Sequence, residues 1–145
     1  MSPTPMVGPD DARKSDNHVN QKGFRFEGDA IIAWLVENDF LDKHFYFVCG
    51  DRHWQYHSVH PTGFEEFSTG ALVDANARKG RPPGDPASTD PNAEIKQVYT
   101  YEEPTGGFLL VTVAEREDGS GAFADFSFYD ERGERLYRVR KTADR

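Results

Sequence analysis

The run FYFVC, Phe45 to Cys49, is the feature that most constrains how this chain folds. All five residues are apolar or aromatic, and no polar residue alternates with them. Such a continuous run is typical of a strand that is covered on both faces, as in the parallel sheets of α/β proteins. It predicts a sheet with packed layers on both sides, in which this strand has a neighbouring strand along each edge.

A helical pattern precedes the run at residues 24–40, FRFEGDAIIAWLVENDF. Ile31 and Leu35 share one helix face, and Ile32 and Val36 share the next, so the apolar residues cover more than half of the circumference. We therefore expect a helix that is buried on a broad face. Residues suited to its two ends are Asp29, as a cap or first-turn acid, and Asn38, as a C-terminal stop.

The rest of the chain is rich in strand patterns. We expect strands at residues 54–59 and 64–68 around a turn at 61–63, a short helix at 72–78, and a Pro- and Gly-rich loop at 79–92. Strands at 107–115, 121–129 and 135–140, separated by turn sequences, predict a C-terminal antiparallel meander. Residues 1–23 carry no periodic pattern and are expected to form an extended loop.

Composition sets outer limits on function. The 145 residues suit one domain, and the net charge of -8 argues against nucleic acid or an anionic membrane surface as a partner. No apolar segment reaches the ~18 residues that a membrane span needs, and no signal peptide is recognisable. The single cysteine, Cys49, is expected to be a buried structural residue, and the acidic pair Glu65 and Glu66 is expected to face solvent.

A polar tetrapeptide, Gly50-Asp51-Arg52-His53, directly follows the apolar run. Ligands of open α/β sheets bind beyond the carboxyl ends of strands, where Gly50 would let the backbone turn sharply. Asp51 and His53 can converge on one metal or on two adjacent metals, and a carboxylate with an imidazole suits zinc, iron or manganese. Arg52 could orient a phosphate. The alternative is a tight turn that carries a surface histidine.

Further histidines lie nearby in the sequence. In a strand, His53 and His57 are ~13 Å apart and would not share a metal, so His57 and His60 are expected to pack rather than to ligate. Asp16-Asn17-His18 has the spacing Asp-x-His, but it lies in a polar loop. That loop is either solvated or close to the site.

The segment VCGDRHWQYHS, residues 48–58, resembles the last metal-binding block of calcineurin-like metallophosphoesterases. More narrowly, it is similar to the alkaline phosphatase D (PhoD-like) branch, in which this block reads Gly-Asp-x-His-Trp. The segments SPTPMVGPD, EGDAIIAWL, GFEEFSTGAL and GGFLLVTV extend the resemblance over most of the chain. The resemblance implies an α/β fold, the C-terminal half of an αββα sandwich to which the antiparallel meander is added.

The resemblance also implies roles for individual residues. Asp51 and His53 would be ligands of a dinuclear centre of iron, zinc, manganese or calcium, which activates water to attack a phosphate monoester or diester. Arg52 would contact the phosphate or support the ligands. Additional residues that could form the site wall are Trp54, His18 and His57.

The family's earlier ligand blocks do not occur in residues 1–145. The chain is therefore expected to be a single partial domain: loop at 1–23, helix, strand and ligand loop at 24–78, Pro/Gly loop at 79–92, and meander at 93–145. We expect it to lack an N-terminal half that carries the other ligands, and to be inactive alone. The alternative is a non-catalytic, β-rich binding or interaction module. Relatives are often exported, but the sequence does not predict a compartment.

Overall fold

Two β-sheets and one α-helix make up residues 1–144, the part of the chain that the computed structural model describes. The helix is α1 (Arg25–Glu37), and 3-10 turns lie at Phe40–Lys43 and Asp74–Asn76. The strands are β1 (Tyr46–Cys49), β2 (Gln55–Val59), β3 (Glu65–Thr69), β4 (Lys96–Thr100), β5 (Gly107–Glu115), β6 (Gly121–Asp130) and β7 (Arg135–Asp144). The expected mixed α/β content is confirmed, although most of the structure is sheet.

The first sheet has the strand order β1-β3-β2-β4. Strand β1 runs parallel to β3, and the other two pairs are antiparallel. The parallel pair agrees with the continuous apolar sequence of β1. Strand β1 lies at the edge of the sheet, and within residues 1–144 its outer side meets only a bridge from Ser2 to Cys49, so the described chain supplies a neighbouring strand along one edge of β1.

The second sheet is the predicted antiparallel meander, and it is confirmed. It has the order β5-β6-β7, with β5 paired to β6 over all nine of its residues, from Gly107 to Glu115. Strand β4 is not part of it and pairs with β2 in the first sheet. The meander therefore begins at Gly107.

The first sheet lies between two layers. On one face, Phe67 packs against Phe126 and Phe128 of the meander, with the rings of Phe67 and Phe126 stacked 4.0 Å apart. On the other face, Phe47 packs against α1 and the N-terminal segment in the cluster Met6, Val7, Ile32, Leu35, Phe47 and Phe64. Both faces of β1 are covered, as its sequence predicts.

Helix α1 is less buried than its sequence predicts. Its buried residues are Gly28, Ile32 and Leu35, one narrow stripe, whereas Ile31, Trp34 and Val36 are exposed. The expectation of a broad buried face is wrong because, within residues 1–144, only one layer contacts the helix. Asp29 does not cap the helix, which begins four residues earlier at Arg25, whereas Asn38 ends it as expected.

The N-terminal segment has no helix or strand, as predicted, but residues 5–10 are buried. The carboxylate of Glu66 holds it to the sheet by accepting hydrogen bonds from the backbone N–H groups of Met6, Val7 and Gly8 at 2.6, 3.1 and 2.9 Å. Glu66 is fully buried, so the expectation that it faces solvent is wrong. Along β3, Glu66 points to the face opposite that of Phe67, and this segment covers that face.

The helix expected at residues 72–78 is reduced to the 3-10 turn Asp74–Asn76. Residues 79–92 form a loop without a helix or strand, as predicted. Among residues 1–144, no helix has both the length and the apolar character that crossing a bilayer requires.

Candidate functional site

A cleft of about 290 Å³ lies at the carboxyl ends of the parallel strands β1 and β3. The loop after β1 supplies Asp51, Arg52 and His53, and the segment after β3 supplies residues 70–73, with Asn76 on the rim. This is the position in which open sheets bind ligands. The structure therefore brings together Asp51 and His53, the two residues that the sequence predicts as metal ligands.

The turn that directs these side chains depends on Asp51. Its φ of 63° lies in the left-handed region, which Asp tolerates better than most residues. Gly50 has no such conformation, and an added Cβ there would meet nothing within 4 Å. The expectation that Gly50 provides the sharp turn is wrong, and the conformational demand falls on the candidate ligand itself.

The position of His53 is set through its backbone. Its carbonyl oxygen accepts hydrogen bonds from the Tyr101 hydroxyl at 3.0 Å and from the Arg78 N–H at 2.8 Å. Burial raises the pKa of Tyr101 to about 12, so its hydroxyl keeps its proton even above the ordinary tyrosine pKa of 10. His53 itself is exposed, and its imidazole is accessible from the cleft.

Arg52 points away from solvent into a cluster of carboxylates. Its guanidinium lies 2.6 Å from Asp10, 2.7 Å from Asp16 and 3.0 Å from Asp51. Burial alone disfavours the charge on Arg52, but the carboxylates outweigh burial and raise its pKa above the ordinary value. Arg52 therefore ties the N-terminal segment to the ligand loop, and three carboxylates share its charge.

Trp54 lies beneath the loop rather than in the cleft wall. It is buried in a cluster with Cys49, Tyr56 and Tyr101, and its ring lies 4.7 Å from that of Tyr56. Gly80 lies directly against the indole, where an added Cβ would be 2.0 Å from the ring. Trp54 thus supports the loop from below. Cys49 is buried, as predicted, and burial raises the pKa of its thiol well above the ordinary value.

Histidines 18 and 57 do not line the cleft. The ring of His18 lies between the Thr4 hydroxyl and the Glu27 carboxylate, 3.2 Å from each. His57 is buried between the two sheets, stacked on Phe67, with Glu65 at 2.6 Å and the Tyr137 hydroxyl at 3.0 Å. Asp16 is closer to the site than its neighbour His18, because it contacts Arg52.

The donors in the cleft fit part of a metal centre. A carboxylate and an imidazole suit a borderline divalent metal, but protein sites normally have three or four ligands. Within residues 1–144, no group of three or more His, Cys, Asp or Glu side chains could hold a metal ion. Asp51 and His53 can therefore contribute to a metal centre, but they do not complete one.

The sequence did not predict two residues that hold the Asp51–His53 loop in place. Asp10 and Tyr101 act on the ligand loop from 42 and 48 positions away along the chain. Asp10 lies in a turn-rich segment and Tyr101 in a segment of ambiguous pattern, so neither carried a local signal of its role.

No family model, curated protein or solved structure matches the chain.

Proposed function

We propose that this chain is the C-terminal segment of a metal-dependent phosphoesterase of the alkaline phosphatase D type, with the αββα sandwich of calcineurin-like enzymes. One observation carries the proposal. Asp51 and His53, the two residues that match the family's motif, face one cleft at the carboxyl ends of a parallel strand pair. That is where such a fold would use them.

In this proposal, Asp51 and His53 each supply one ligand to a dinuclear centre of iron, zinc, manganese or calcium. Bound metals of this kind polarise phosphoryl oxygens and activate water for attack on a phosphate monoester or diester. Arg52 acts as a positioning residue that fixes the ligand loop, since its charge is shared among three carboxylates. The remaining ligands would come from an N-terminal half, so the chain alone is inactive.

Metal binding and turnover by the purified chain test this proposal. We expect Mn²⁺ or Zn²⁺ to bind weakly in calorimetry, because two protein ligands form an incomplete centre. Hydrolysis of p-nitrophenyl phosphate and its bis ester should stay at the buffer rate. Asp51→Asn and His53→Ala should each abolish the weak metal binding.

His60→Ala is the matched control, because it removes an imidazole that is hydrogen-bonded to nearby Thr62 and does not line the cleft. It should leave metal binding unchanged. Robust hydrolysis that His53→Ala abolishes would overturn the inactivity of the lone chain. Equal loss of metal in the His53 and His60 variants would overturn the assignment of the ligands.

A non-catalytic, β-rich interaction module is the second candidate. It is favoured by the buried apolar clusters on both faces of the first sheet, which are built from side chains within residues 1–144. Such a module would unfold cooperatively at the same temperature with and without metal. A rise in the melting temperature with Mn²⁺ that depends on Asp51 would count against it.

A further inference from the structure

The two oxygens of the Asp51 carboxylate have different surroundings. Oδ2 lies 3.0 Å from Nη1 of the Arg52 guanidinium. Oδ1 has no hydrogen bond or ion pair within residues 1–144, and the side chain of Asp51 is half exposed where it lines the cleft. A metal ion bound at Oδ1 would therefore share this carboxylate with a cation, and like charges this close repel each other. Arg52 thus orients Asp51 and also competes with a metal for it.

Asp16 draws the Arg52 guanidinium in another direction. Its Oδ1 accepts a hydrogen bond from Nη2 of Arg52 at 2.7 Å, which is shorter than the contact between Nη1 and Asp51. This hydrogen bond lowers the pKa of Asp16 and so favours its ionised carboxylate. Asp16 does not line the cleft. Its contact with the ligand loop is therefore made through Arg52.

Asp10 also contacts Arg52, but it contributes to the fold as well. It is buried, lies 2.6 Å from the guanidinium, and accepts hydrogen bonds from the Asn17 side chain at 2.8 Å and from the Asp11 N–H at 2.7 Å. The side chain of Asp16, by contrast, is 66% exposed and contacts Arg52 from the surface. Asp16 can therefore be changed without disturbing buried packing.

We propose that Asp16 is a positioning residue that raises the metal affinity of Asp51 and His53 by holding Arg52 back from Asp51. The inference rests on the proposed function, because it concerns the same two ligands. With Asp16 in place, two carboxylates of the N-terminal segment offset the charge of Arg52, so that a metal on Asp51 is repelled less. Without Asp16, Arg52 tightens on Asp51 and competes with the metal. The N-terminal segment thereby tunes the affinity of a site to which it supplies no ligand.

Calorimetric titration of the full chain with Mn²⁺ tests this role of Asp16. Asp16→Asn should weaken Mn²⁺ binding about two- to fivefold, a modest factor because the side chain is largely exposed. Asp16→Glu keeps the charge and should bind within about twofold of the wild-type protein. Asp42→Asn is the matched control, because it makes the same change in net charge at an exposed site before β1, at the opposite end of that strand from Asp51. It should leave Mn²⁺ binding unchanged.

Hydrogen exchange of the Arg52 guanidinium, followed by NMR in the absence of metal, tests whether Asp16 acts through Arg52. In Asp16→Asn, the Nη1 protons that face Asp51 should exchange at least about twofold more slowly than in the wild-type protein, because the guanidinium has lost a competing acceptor. A role of Asp16 in folding alone would not slow this exchange. Asp42→Asn should leave the exchange unchanged.

The inference is overturned if Asp16→Asn binds Mn²⁺ as tightly as the wild-type protein, or if the exchange at Nη1 of Arg52 does not slow. Equal weakening by Asp16→Asn and Asp42→Asn would also overturn it, because net charge would then explain the loss. These outcomes leave the proposed ligands standing as long as His53→Ala abolishes binding. A wild-type protein that binds no Mn²⁺ would overturn the assignment of the ligands, and this inference with it.

Discussion

At the scale of single residues, the buried carboxylate of Glu66 joins the N-terminal segment to the sheet. It accepts hydrogen bonds from three backbone N–H groups and, at 2.7 Å, from the Tyr56 hydroxyl. Burial raises the pKa of Glu66, and these donors oppose that rise by favouring the ionised form. All four partners are donors, so this position requires a side chain that accepts hydrogen bonds.

Glu66→Gln should destabilise the protein by about 2–4 kcal/mol, because the amide NH₂ would face donors and leave buried N–H groups unpaired. Urea unfolding measures this free energy. Glu102→Gln is the matched control at an exposed site and should change it by less than about 0.5 kcal/mol. Equal effects of the two substitutions would contradict the anchoring role of Glu66.

Asp125 of β6 forms a bidentate ion pair with Arg140 of β7, at 2.8 and 2.7 Å, and a further pair with Arg138. The hydrogen bonds from Arg140 and then Arg138 hold the pKa of Asp125 well below its ordinary value of 3.8. The pKa of Asp125 is lower in the folded protein than in the unfolded one. These contacts therefore stabilise the fold at pH values above the pKa of the unfolded protein. That stabilisation is lost as the pH falls toward the folded pKa.

Asp125→Asn should lower the free energy of unfolding at pH 7 by about 1 kcal/mol, a modest value because both arginines are about half exposed. The difference from the wild-type protein should shrink as the pH falls below about 4. Urea unfolding between pH 2 and 7 measures it. Glu103→Gln, at an exposed site, should show no such pH dependence. A constant difference at all pH values would rule out the ion pair as its cause.

At the scale of elements, helix α1 has apolar residues over more than half of its circumference but packs along one stripe. A helix that is apolar all round is typical of one that is covered on more than one side. Within residues 1–144, Phe26 is 91% and Trp34 54% exposed. The helix and the edge strand β1 thus expose apolar surface on neighbouring parts of the molecule.

Two adjacent isoleucines of α1 measure how much each helix face contributes. Ile32→Ala, at a site 5% exposed, should cost about 2–4 kcal/mol of unfolding free energy. Ile31→Ala, at a site 38% exposed, removes the same atoms and has the same helix propensity, but should cost less than about 1 kcal/mol. Thermal and urea unfolding compare the two variants, and similar losses would place Ile31 in a packed environment.

At the scale of the whole molecule, the other elements pack around the first sheet. One face carries the meander and the other carries α1 with the N-terminal segment, and the cleft opens where β1 and β3 end. The N-terminal segment reaches that cleft through Asp10 and Asp16, which contact Arg52. The loop that presents Asp51 and His53 is therefore held by residues from distant parts of the chain.

The local features of this protein can be predicted from its sequence alone. The alternation in β6 and the turn residues around it predicted the meander, because strand period and turn chemistry are set by neighbours along the chain. The continuous run before Gly50 predicted a parallel strand followed by a ligand loop. The motif after this run predicted Asp51 and His53 as metal ligands; both residues line one cleft, and their role as ligands stays a prediction.

Which surfaces are covered and which charges are paired depends on how distant segments pack in three dimensions. Glu66 is buried and α1 packs along one stripe. Both outcomes depend on which distant segment lies against that face of the strand or helix. Arg52 met three carboxylates, two of them from the N-terminal segment, for the same reason. Periodicity predicts which residues share one face of a helix or strand. Which segment covers that face is seen only in the folded structure.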